Sequence, residues 1–311
     1  MMSLFLLVAP NVAAQQTARL PRIAVLGPAY RDAFVEGLRQ FGYVQGKNID
    51  VEWVGSNERS ERFPELAAEL VQRKVDVIVA GNNPAVAAAQ RATTTIPIVM
   101  VIATDPVRLG FVASLARPTG NITGLSMQTP ELAGKRLQLL KDVIPNLTRV
   151  AVLWDPTEPG RKQLVEEAEV VAAGLGLQIQ SFEVRRAADL EGAFTAMVRG
   201  HAGAVVVFGS SLLFAQRAKI AELAARNRLP SICTAREWTD AGFVMSYGPS
   251  LNDLYRRAPY FIDRILRGAK PADLPVEQPT NFQLAINLKA ARTLGLAIPS
   301  ALLVRADEII K

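Results

Sequence analysis

The chain repeats one pattern of short apolar runs in its two halves. Residues 22–27 read RIAVLG and residues 149–154 read RVAVLW, an offset of 127 positions from 22 to 149. Residues 74–81 and 202–209 repeat in the same way, and their final glycines are 128 positions apart, from 81 to 209. Turn residues and a helical pattern follow each run, which is typical of βα units in a parallel sheet. The sequence therefore predicts an α/β protein of two doubly wound parallel-sheet lobes with a cleft between them.

The composition suits one large or two medium-sized domains and does not favour a nucleic-acid partner. Half of the 311 residues are apolar and 21% are charged, which is enough apolar material for substantial cores. The formal net charge is +6, but the basic residues are scattered, whereas a nucleic-acid site needs clustered positive charge. The single cysteine, Cys233, excludes an internal disulfide and a cysteine-based zinc cluster. We therefore expect no nucleic-acid partner, no metal and no cofactor.

The N-terminal residues resemble an export signal. Residues 4–9 are apolar, and small residues at Val12 and Ala14 fit the positions that signal peptidase reads before its cleavage site. The apolar stretch is too short to span a bilayer. The sequence therefore predicts a signal peptide at residues 1–14 and a periplasmic protein, and the missing cysteine at the cleavage point predicts that it carries no lipid anchor. The alternative for these residues is a buried N-terminal strand.

Alternating apolar runs and helical patterns predict the order of the elements. Strands are predicted at residues 22–27, 49–54, 75–80, 98–103, 150–154, 178–183, 204–208, 231–234, 243–248 and 282–286. Helices are predicted at residues 32–41, 63–72, 84–92, 162–174, 190–199, 214–227, 251–266, 288–294 and 300–309. Residues 117–124 are rich in turn formers and mark the passage from the first lobe to the second.

In open parallel sheets, ligands bind at the carboxyl ends of the strands, beside the N-termini of the following helices. The polar residues at those positions are the candidate ligand-binding residues: Tyr30, Asn82, Asn83, Thr104, Asp105, Asp155, Ser210, Ser211, Thr234 and Glu237. This mixture of hydroxyls, amides and carboxylates suits a small polar or zwitterionic ligand. Asp105 or Asp155 is suited to an amine, and the Asn82–Asn83 pair at a helix N-terminus is suited to a carboxylate. Helix capping and turn formation are the alternative roles for these residue types.

Motifs for catalysis are mostly absent. The only histidine, His201, precedes a buried strand, and no Gly-x-Ser-x-Gly elbow is present. Residues 37–42 have the glycine spacing of a phosphate loop, but Tyr43 stands where lysine is required. Nothing in the sequence pairs the carboxylates Asp105, Asp155 and Glu237 into an acid–base set. We therefore expect a binding protein rather than an enzyme.

Four segments carry a resemblance to a known family. They are residues 34–48 (FVEGLRQFGYVQGKN), 105–124 (DPVRLGFVASLARPTGNITG), 246–249 (SYGP) and 270–280 (KPADLPVEQPT). In these segments the chain resembles the bacterial ABC-transporter substrate-binding proteins of the tryptophan/tyrosine-binding-like group, with the type I periplasmic binding protein fold. The resemblance implies two lobes joined by three crossings, near residues 124, 242–246 and 277–280, and no catalysis.

The resemblance and the element order together predict the domain division. Residues 22–123 plus 247–277 form lobe 1, and residues 125–243 plus 280–311 form lobe 2. The expected function is that of a monomeric periplasmic solute-binding protein, which binds a small-molecule ligand, with an amino acid as one candidate, and delivers it to an ABC permease in the inner membrane. Two alternatives stay open from the residues alone: a two-lobed α/β enzyme such as a transferase, and a ligand-sensing effector domain.

Overall fold

The computed structural model describes residues 19–55, 60–127 and 130–311. The predicted signal peptide, residues 1–14, lies outside these residues. Within the described part of the chain, no helix combines the length and the apolar character needed to cross a membrane. The described residues form two sheets, and helices cover both faces of each.

The strands have the following bounds: β1 (Arg22–Leu26), β2 (Asp50–Val54), β3 (Val77–Ala80), β4 (Ile98–Ala103), β5 (Ile122–Ser126), β6 (Arg149–Trp154), β7 (Gln178–Glu183), β8 (Ala204–Phe208), β9 (Ser231–Cys233), β10 (Met245–Gly248), β11 (Gln283–Asn287) and β12 (Glu308–Ile310).

The helices have the following bounds: α1 (Arg31–Gln40), α2 (Phe63–Gln72), α3 (Asn83–Ala92), α4 (Pro130–Val143), α5 (Arg161–Gly174), α6 (Leu190–Arg199), α7 (Ser211–Ala215), α8 (Arg217–Arg226), α9 (Arg236–Asp240), α10 (Leu251–Leu266), α11 (Leu288–Thr293) and α12 (Ser300–Arg305). Short 3₁₀ turns lie at Ser60–Arg62, Ala187–Asp189 and Pro271–Asp273.

Lobe 1 is built on a parallel sheet in the order β2-β1-β3-β4-β5. Successive side chains of a strand point to opposite faces, and β1 follows this rule. Ile23 and Val25 pack with α1 and α10 on one face, while Ala24 and Leu26 pack with α2 and α3 on the other. Both faces are buried, which is why the strands of this sheet are continuously apolar in the sequence.

Lobe 2 is built on a sheet in the order β12-β11-β10-β9-β8-β6-β7. Its strands are parallel except at the β10–β11 pair, which is antiparallel. The side chains of β6 alternate between two cores: Val150 and Val152 pack with α4 and α5, while Ala151 and Leu153 pack with α6 and α8. This sheet therefore repeats the layered arrangement of lobe 1.

The chain passes between the two lobes at three places in the described residues. It leaves lobe 1 after β5, returns to lobe 1 between β10 and α10, and enters lobe 2 again between the 3₁₀ turn at Pro271–Asp273 and β11. The first and third crossings are joined, because the Ser126 N–H donates to the Glu277 carbonyl (2.8 Å) and the Glu277 N–H donates to the Gly124 carbonyl (2.9 Å). Gly124 has φ +128°, and a Cβ there would lie 2.3 Å from the Met100 carbonyl oxygen, so this position requires glycine.

The second crossing lies slightly further along the chain than the resemblance implies. The strand β10 pairs with β9 and β11 as far as Gly248, whereas the expected crossing was at residues 242–246. The helix α10 packs against α1, β4 and β5, so residues 251–266 belong to lobe 1. The predicted domain boundaries as a whole stay a prediction.

The helices α4 and α9 lie outside the predicted elements, and three predicted segments differ from the structure. The turn-rich segment at residues 117–124 ends in β5, which is buried throughout. The predicted helix at residues 214–227 is divided, because Gln216 ends α7 and a second helix begins at Arg217. The predicted helix at residues 300–309 ends at Arg305, since the Asp307 carboxylate accepts the Leu284 N–H (2.7 Å) and draws the last residues into the sheet as β12.

Candidate functional site

A cavity of about 650 Å³ lies between the carboxyl ends of the two sheets. The loops that follow β3 and β4 line it from lobe 1, and the loops that follow β8 and β9 line it from lobe 2. Its volume falls within the range of roughly 300–1,000 Å³ that is usual for small-molecule sites. The parallel strands therefore place a ligand-sized space where the sequence pattern predicts one.

The wall of the cavity is mainly apolar and includes aromatic rings. Its larger apolar members are Tyr30, Ile102, Leu115, Met127, Leu164, Phe214, Trp238 and Leu251. Trp238 is fully buried and holds Phe214 and Phe243 edge-on, at ring-centroid distances of 6.0 and 5.0 Å. Tyr30 packs against Tyr255 of α10 at 5.4 Å, and burial raises the pKa of its hydroxyl above the usual range. These packed rings form a preformed surface for an apolar group.

Polar contacts join the two lobes around the cavity. The Asn82 side-chain amide donates to the Ser211 hydroxyl (2.7 Å), and these residues are on opposite lobes. The Arg108 guanidinium pairs with the Glu167 carboxylate at 2.6 Å, again from lobe 1 to lobe 2. The Asn83 amide donates to the Pro159 carbonyl (3.3 Å). The lobes are thus in contact, and the structure has the closed arrangement.

Two helix caps face each other across the cavity. Asn82 caps α3 by accepting the Ala85 N–H (2.9 Å), and Ser210 caps α7 by accepting the Leu213 N–H (3.2 Å). A cap satisfies an N–H group that has no partner within its helix. Since the Asn82 amide also donates to Ser211, its side chain both caps a helix and links the lobes.

Seven of the ten residues expected at the site line the cavity. They are Tyr30, Asn82, Thr104, Asp105, Ser210, Ser211 and Thr234. Asp105 has a positive φ of 47°, and its carboxylate pairs with Arg108 at 3.1 Å. That these residues contact a ligand stays a prediction.

The other three expected residues, Asn83, Asp155 and Glu237, are not part of the cavity wall. Asn83 is buried and holds Thr104, accepting its N–H (2.9 Å) and donating to its hydroxyl (2.6 Å). The Asp155 carboxylate accepts the N–H (2.9 Å) and the hydroxyl (2.6 Å) of Thr157. Glu237 lines a separate pocket of about 170 Å³. The contacts of Asn83 and Asp155 fix the shape of the loops around the cavity.

Buried charged residues lie on the lobe 2 side of the cavity, and they were not among the residues expected at the site. Arg136 of α4 is 3% exposed, and its Nε donates to the Tyr247 carbonyl (2.8 Å). Glu158 is 6% exposed and lies 3.9 Å from Arg161, the first residue of α5. Burial lowers the pKa of Arg136 to about 10 and raises the pKa of Glu158 to about 7. The site is therefore electrically asymmetric, with its buried charges on lobe 2.

Residues 27–310 match the family model described as "ABC transporter substrate binding protein". The chain belongs to this family. It is a substrate-binding protein of an ABC transporter and not an enzyme, so the alternatives of a transferase and of an effector domain are set aside.

Named relatives extend over nearly the whole of this substrate-binding protein. A tyrosine-binding protein of Clostridioides difficile (strain R20291) is 25% identical over 284 residues, which are 90% of this chain and 81% of the relative. The crystal structure of a conserved domain protein from Vibrio cholerae is 26% identical, with a TM-score of 0.89. The crystal structure of an ABC domain from Streptococcus pneumonia in complex with L-Trp is 25% identical, with a TM-score of 0.86. Each of these two structures covers 94% of this chain, and this chain covers the whole of each structure. The predicted two-lobed fold is therefore confirmed.

The sequence contains a signal for these three charged residues of the substrate-binding protein. Glu158 and Arg161 lie beyond the residues that directly follow β6, where α5 begins. Arg136 lies at helical spacing from Leu132 and Leu140, on the buried face of α4. An arginine on an apolar helix face is an exception to the usual pattern, and such exceptions indicate a site.

Proposed function

We propose that this substrate-binding protein encloses an amino acid with an apolar side chain and presents it to an ABC permease in the inner membrane. The observation that carries the proposal is the cavity of about 650 Å³, which both lobes line with a mainly apolar wall and a small set of polar and charged groups. Such a combination binds a ligand that has an apolar body and a charged end.

The relatives support an amino acid as the ligand. One of them is named a tyrosine-binding protein, and another was crystallised with L-Trp. The rings of Tyr30, Phe214 and Trp238 all line the cavity of this chain. Aromatic faces and edges pack favourably against aromatic or branched aliphatic groups. Tyrosine, tryptophan and leucine are therefore the first ligands to examine.

Closure of the lobes provides the mechanism of capture. A solute in the cavity touches both lobes at once, and those contacts are lost when the lobes separate, so binding favours the closed state. The crossings between the lobes act as the hinge. The 2.7 Å hydrogen bond between Asn82 and Ser211 stabilises the closed state. The permease would then recognise the closed form, which displays surfaces of both lobes in a fixed relation.

The periplasm is the proposed place of action. The predicted signal peptide at residues 1–14 supports export. A monomer that diffuses between solute and permease is the simplest form of such a carrier. Fractionation of the native cells tests the location, and a cytoplasmic protein that keeps residues 1–14 would contradict it.

A ligand screen with a shape measurement tests the proposed function. The protein is heated with amino acids, small carboxylates, sugars and polyamines, and the ligand is expected among the amino acids. A ligand at a hundredfold excess over its dissociation constant stabilises the protein by about 2.7 kcal/mol. Small-angle X-ray scattering should then show a smaller radius of gyration with the ligand than without it. Stabilisation without compaction, or no stabilisation by any of these compounds, would contradict the proposal.

A further inference from the structure

The lobe 2 side of the cavity contains one buried guanidinium group, a second one that is partly exposed, and a buried carboxylate. Arg136, Arg161 and Glu158 all line the cavity. Arg136 makes one hydrogen bond to a described residue, from its Nε to the Tyr247 carbonyl, and no carboxylate of the described side chains forms an ion pair with it. The remaining N–H groups of Arg136 are therefore available to a molecule in the cavity.

Arg161 has a similar excess of donors. Its side chain is 12% exposed, its Nε is buried without an acceptor among the described residues, and its nearest carboxylate oxygen, on Glu158, is 3.9 Å away. Gly160 precedes it as the N-cap of α5, with φ 82° and no side-chain cap. The Arg161 N–H donates to the Glu158 carbonyl (3.3 Å), and the next N–H groups of α5 lie with the Arg161 guanidinium at the same end of the helix, where the helix dipole favours an anion.

The charges of this cluster do not balance. Arg136 and Arg161 are accompanied by two buried carboxylates: Glu158, whose neutral form is favoured by burial, and Asp155, which is hydrogen-bonded to Thr157. Burying a cation is costly unless an anion with matching hydrogen-bond geometry accompanies it. The planar guanidinium group matches a carboxylate, which accepts two parallel N–H bonds. The cluster is therefore short of one negative charge, and a carboxylate has the shape to supply it.

We infer that Arg136, Arg161 and the N-terminus of α5 form the subsite that binds the carboxylate of the solute. This inference rests on the proposed function and adds the side of the cleft from which the charged end is held. The side-chain amides of Asn82 and Asn83, which the sequence suggested for a carboxylate, already have hydrogen-bond partners within the protein. Asn82 bonds to Ala85 and Ser211, and Asn83 bonds to Thr104. Lobe 2 therefore holds the charged end of the solute, and lobe 1 covers it in the closed state.

Matched probes with and without the carboxylate test the subsite. L-tryptophan, L-tyrosine and L-leucine are each compared by calorimetry with their amides, which keep the amine and the side chain. The free acids are expected to bind the full-length mature protein at least about 30-fold more tightly than their amides, since an unpaired buried charge remains in the amide complex. In Arg161→Gln, the affinity for the acid should fall by at least about 30-fold, and the ratio of acid to amide affinity should approach one.

The neighbouring Lys162 provides a matched control for the loss of one positive charge. It is the next residue on α5, but its side chain is 75% exposed. Lys162→Gln should change the affinity for the acids by less than about threefold, because an exposed charge is screened by water. Arg136→Gln should lower the affinity as Arg161→Gln does without lowering the melting temperature of the unliganded protein. If Arg136→Gln does not fold, Arg136→Lys, which keeps the positive charge, is measured in its place.

The contrary outcomes distinguish a wrong subsite from a wrong proposed function. Amides that bind as tightly as the acids, or an Arg161→Gln protein with unchanged affinity, would overturn the carboxylate subsite. If no compound with a carboxylate binds in the ligand screen, the carboxylate subsite is also wrong. If the protein instead closes on an uncharged solute, as scattering would show, solute binding stands and the subsite is wrong. If it closes on no compound, the proposed function is wrong as well.

Discussion

The two lobes share one architecture but contribute different chemistry to the cavity. The lobe 1 side consists mainly of neutral groups with hydrogen-bond partners, such as Asn82 and Thr104, and its charged pair of Asp105 and Arg108 is exposed. Lobe 2 contributes the buried charges of Arg136 and Glu158 and the largely buried charge of Arg161. A neutral network is stable without a ligand, whereas a buried excess of positive charge is completed by one. The comparison indicates that lobe 1 shapes the site and that lobe 2 supplies the electrostatic attraction.

The largest expected effect concerns Glu158 and the pH dependence of stability. Its pKa is raised from 4.5 to about 7 by burial, so the folded protein binds a proton that the unfolded chain releases between these values. The free energy of unfolding should fall as pH rises through this window, by about 3 kcal/mol at about 1.4 kcal/mol per pKa unit. Glu158→Gln should remove this slope in urea-unfolding curves measured from pH 4.5 to 8.

The control for the Glu158 prediction is Glu166→Gln. Glu166 is an exposed carboxylate on α5, the helix that follows Glu158, and its side chain is 58% exposed. This variant should keep the pH slope of the parent protein. An equal slope in Glu158→Gln and in the parent would show that Glu158 titrates normally, and the electrostatic contrast between the lobes would be weakened.

A second prediction separates loop structure from ligand contact at Asp155. The Asp155 carboxylate accepts two hydrogen bonds from Thr157 and does not line the cavity. Asp155→Ala should therefore lower the free energy of unfolding of the unliganded protein by about 2 kcal/mol, at about 1 kcal/mol for each bond lost. Denaturant unfolding measures this. An unchanged stability with a complete loss of ligand affinity would instead favour a direct contact with the ligand.

The third prediction concerns the neutral network of lobe 1. Asn82→Ala removes the cap of α3 and the bond to Ser211, and a lost cap costs about 1 kcal/mol of stability. Asn82→Ser keeps a capping oxygen but removes the donor for Ser211. The serine variant should retain most of the stability and bind its ligand more weakly than the parent. Equal ligand affinity in the serine variant and the parent would show that the link between the lobes does not contribute to closure.

The smallest effect is expected at the ion pair between Arg108 and Glu167. Both side chains are partly exposed, so the pair is screened by water and salt. Arg108→Gln should leave the melting temperature unchanged within experimental error and shift the unliganded protein slightly towards the open state. Scattering at low salt measures the shift, and Arg185→Gln, an exposed arginine away from the cavity, is the control. A large loss of ligand affinity in Arg108→Gln would place substantial binding energy at the mouth of the cavity.

The sequence predicts most of the fold because its strands are buried on both faces. Continuous apolar runs such as residues 98–103 and 204–208 have the bounds of β4 and β8, since a strand covered on both sides needs apolar residues throughout. The short strand β12 was missed because its pairing with β11 depends on a contact of Asp307 with Leu284, 23 residues away. Elements held by distant contacts leave little trace in local periodicity.

The site was predictable only in part, for a related reason. Residues directly after the strands, such as Thr104 and Ser210, lie at the cavity because parallel strands end at a common edge. The pairing of Asn82 with Ser211 joins residues 129 positions apart and depends on how the lobes face each other. Arg136 lies on α4, a helix absent from the sequence-based description, so its charge was not connected with the site.

The most direct test of the account is a crystal structure of the protein with an amino acid bound. The account predicts a solute between the closed lobes, with its carboxylate within hydrogen-bond distance of Arg136 and Arg161 and its side chain against the rings that line the cavity. A carboxylate bound instead at Asn82 and the N-terminus of α3 would contradict the division of roles between the lobes. An amino acid bound outside the cavity would contradict the account as a whole.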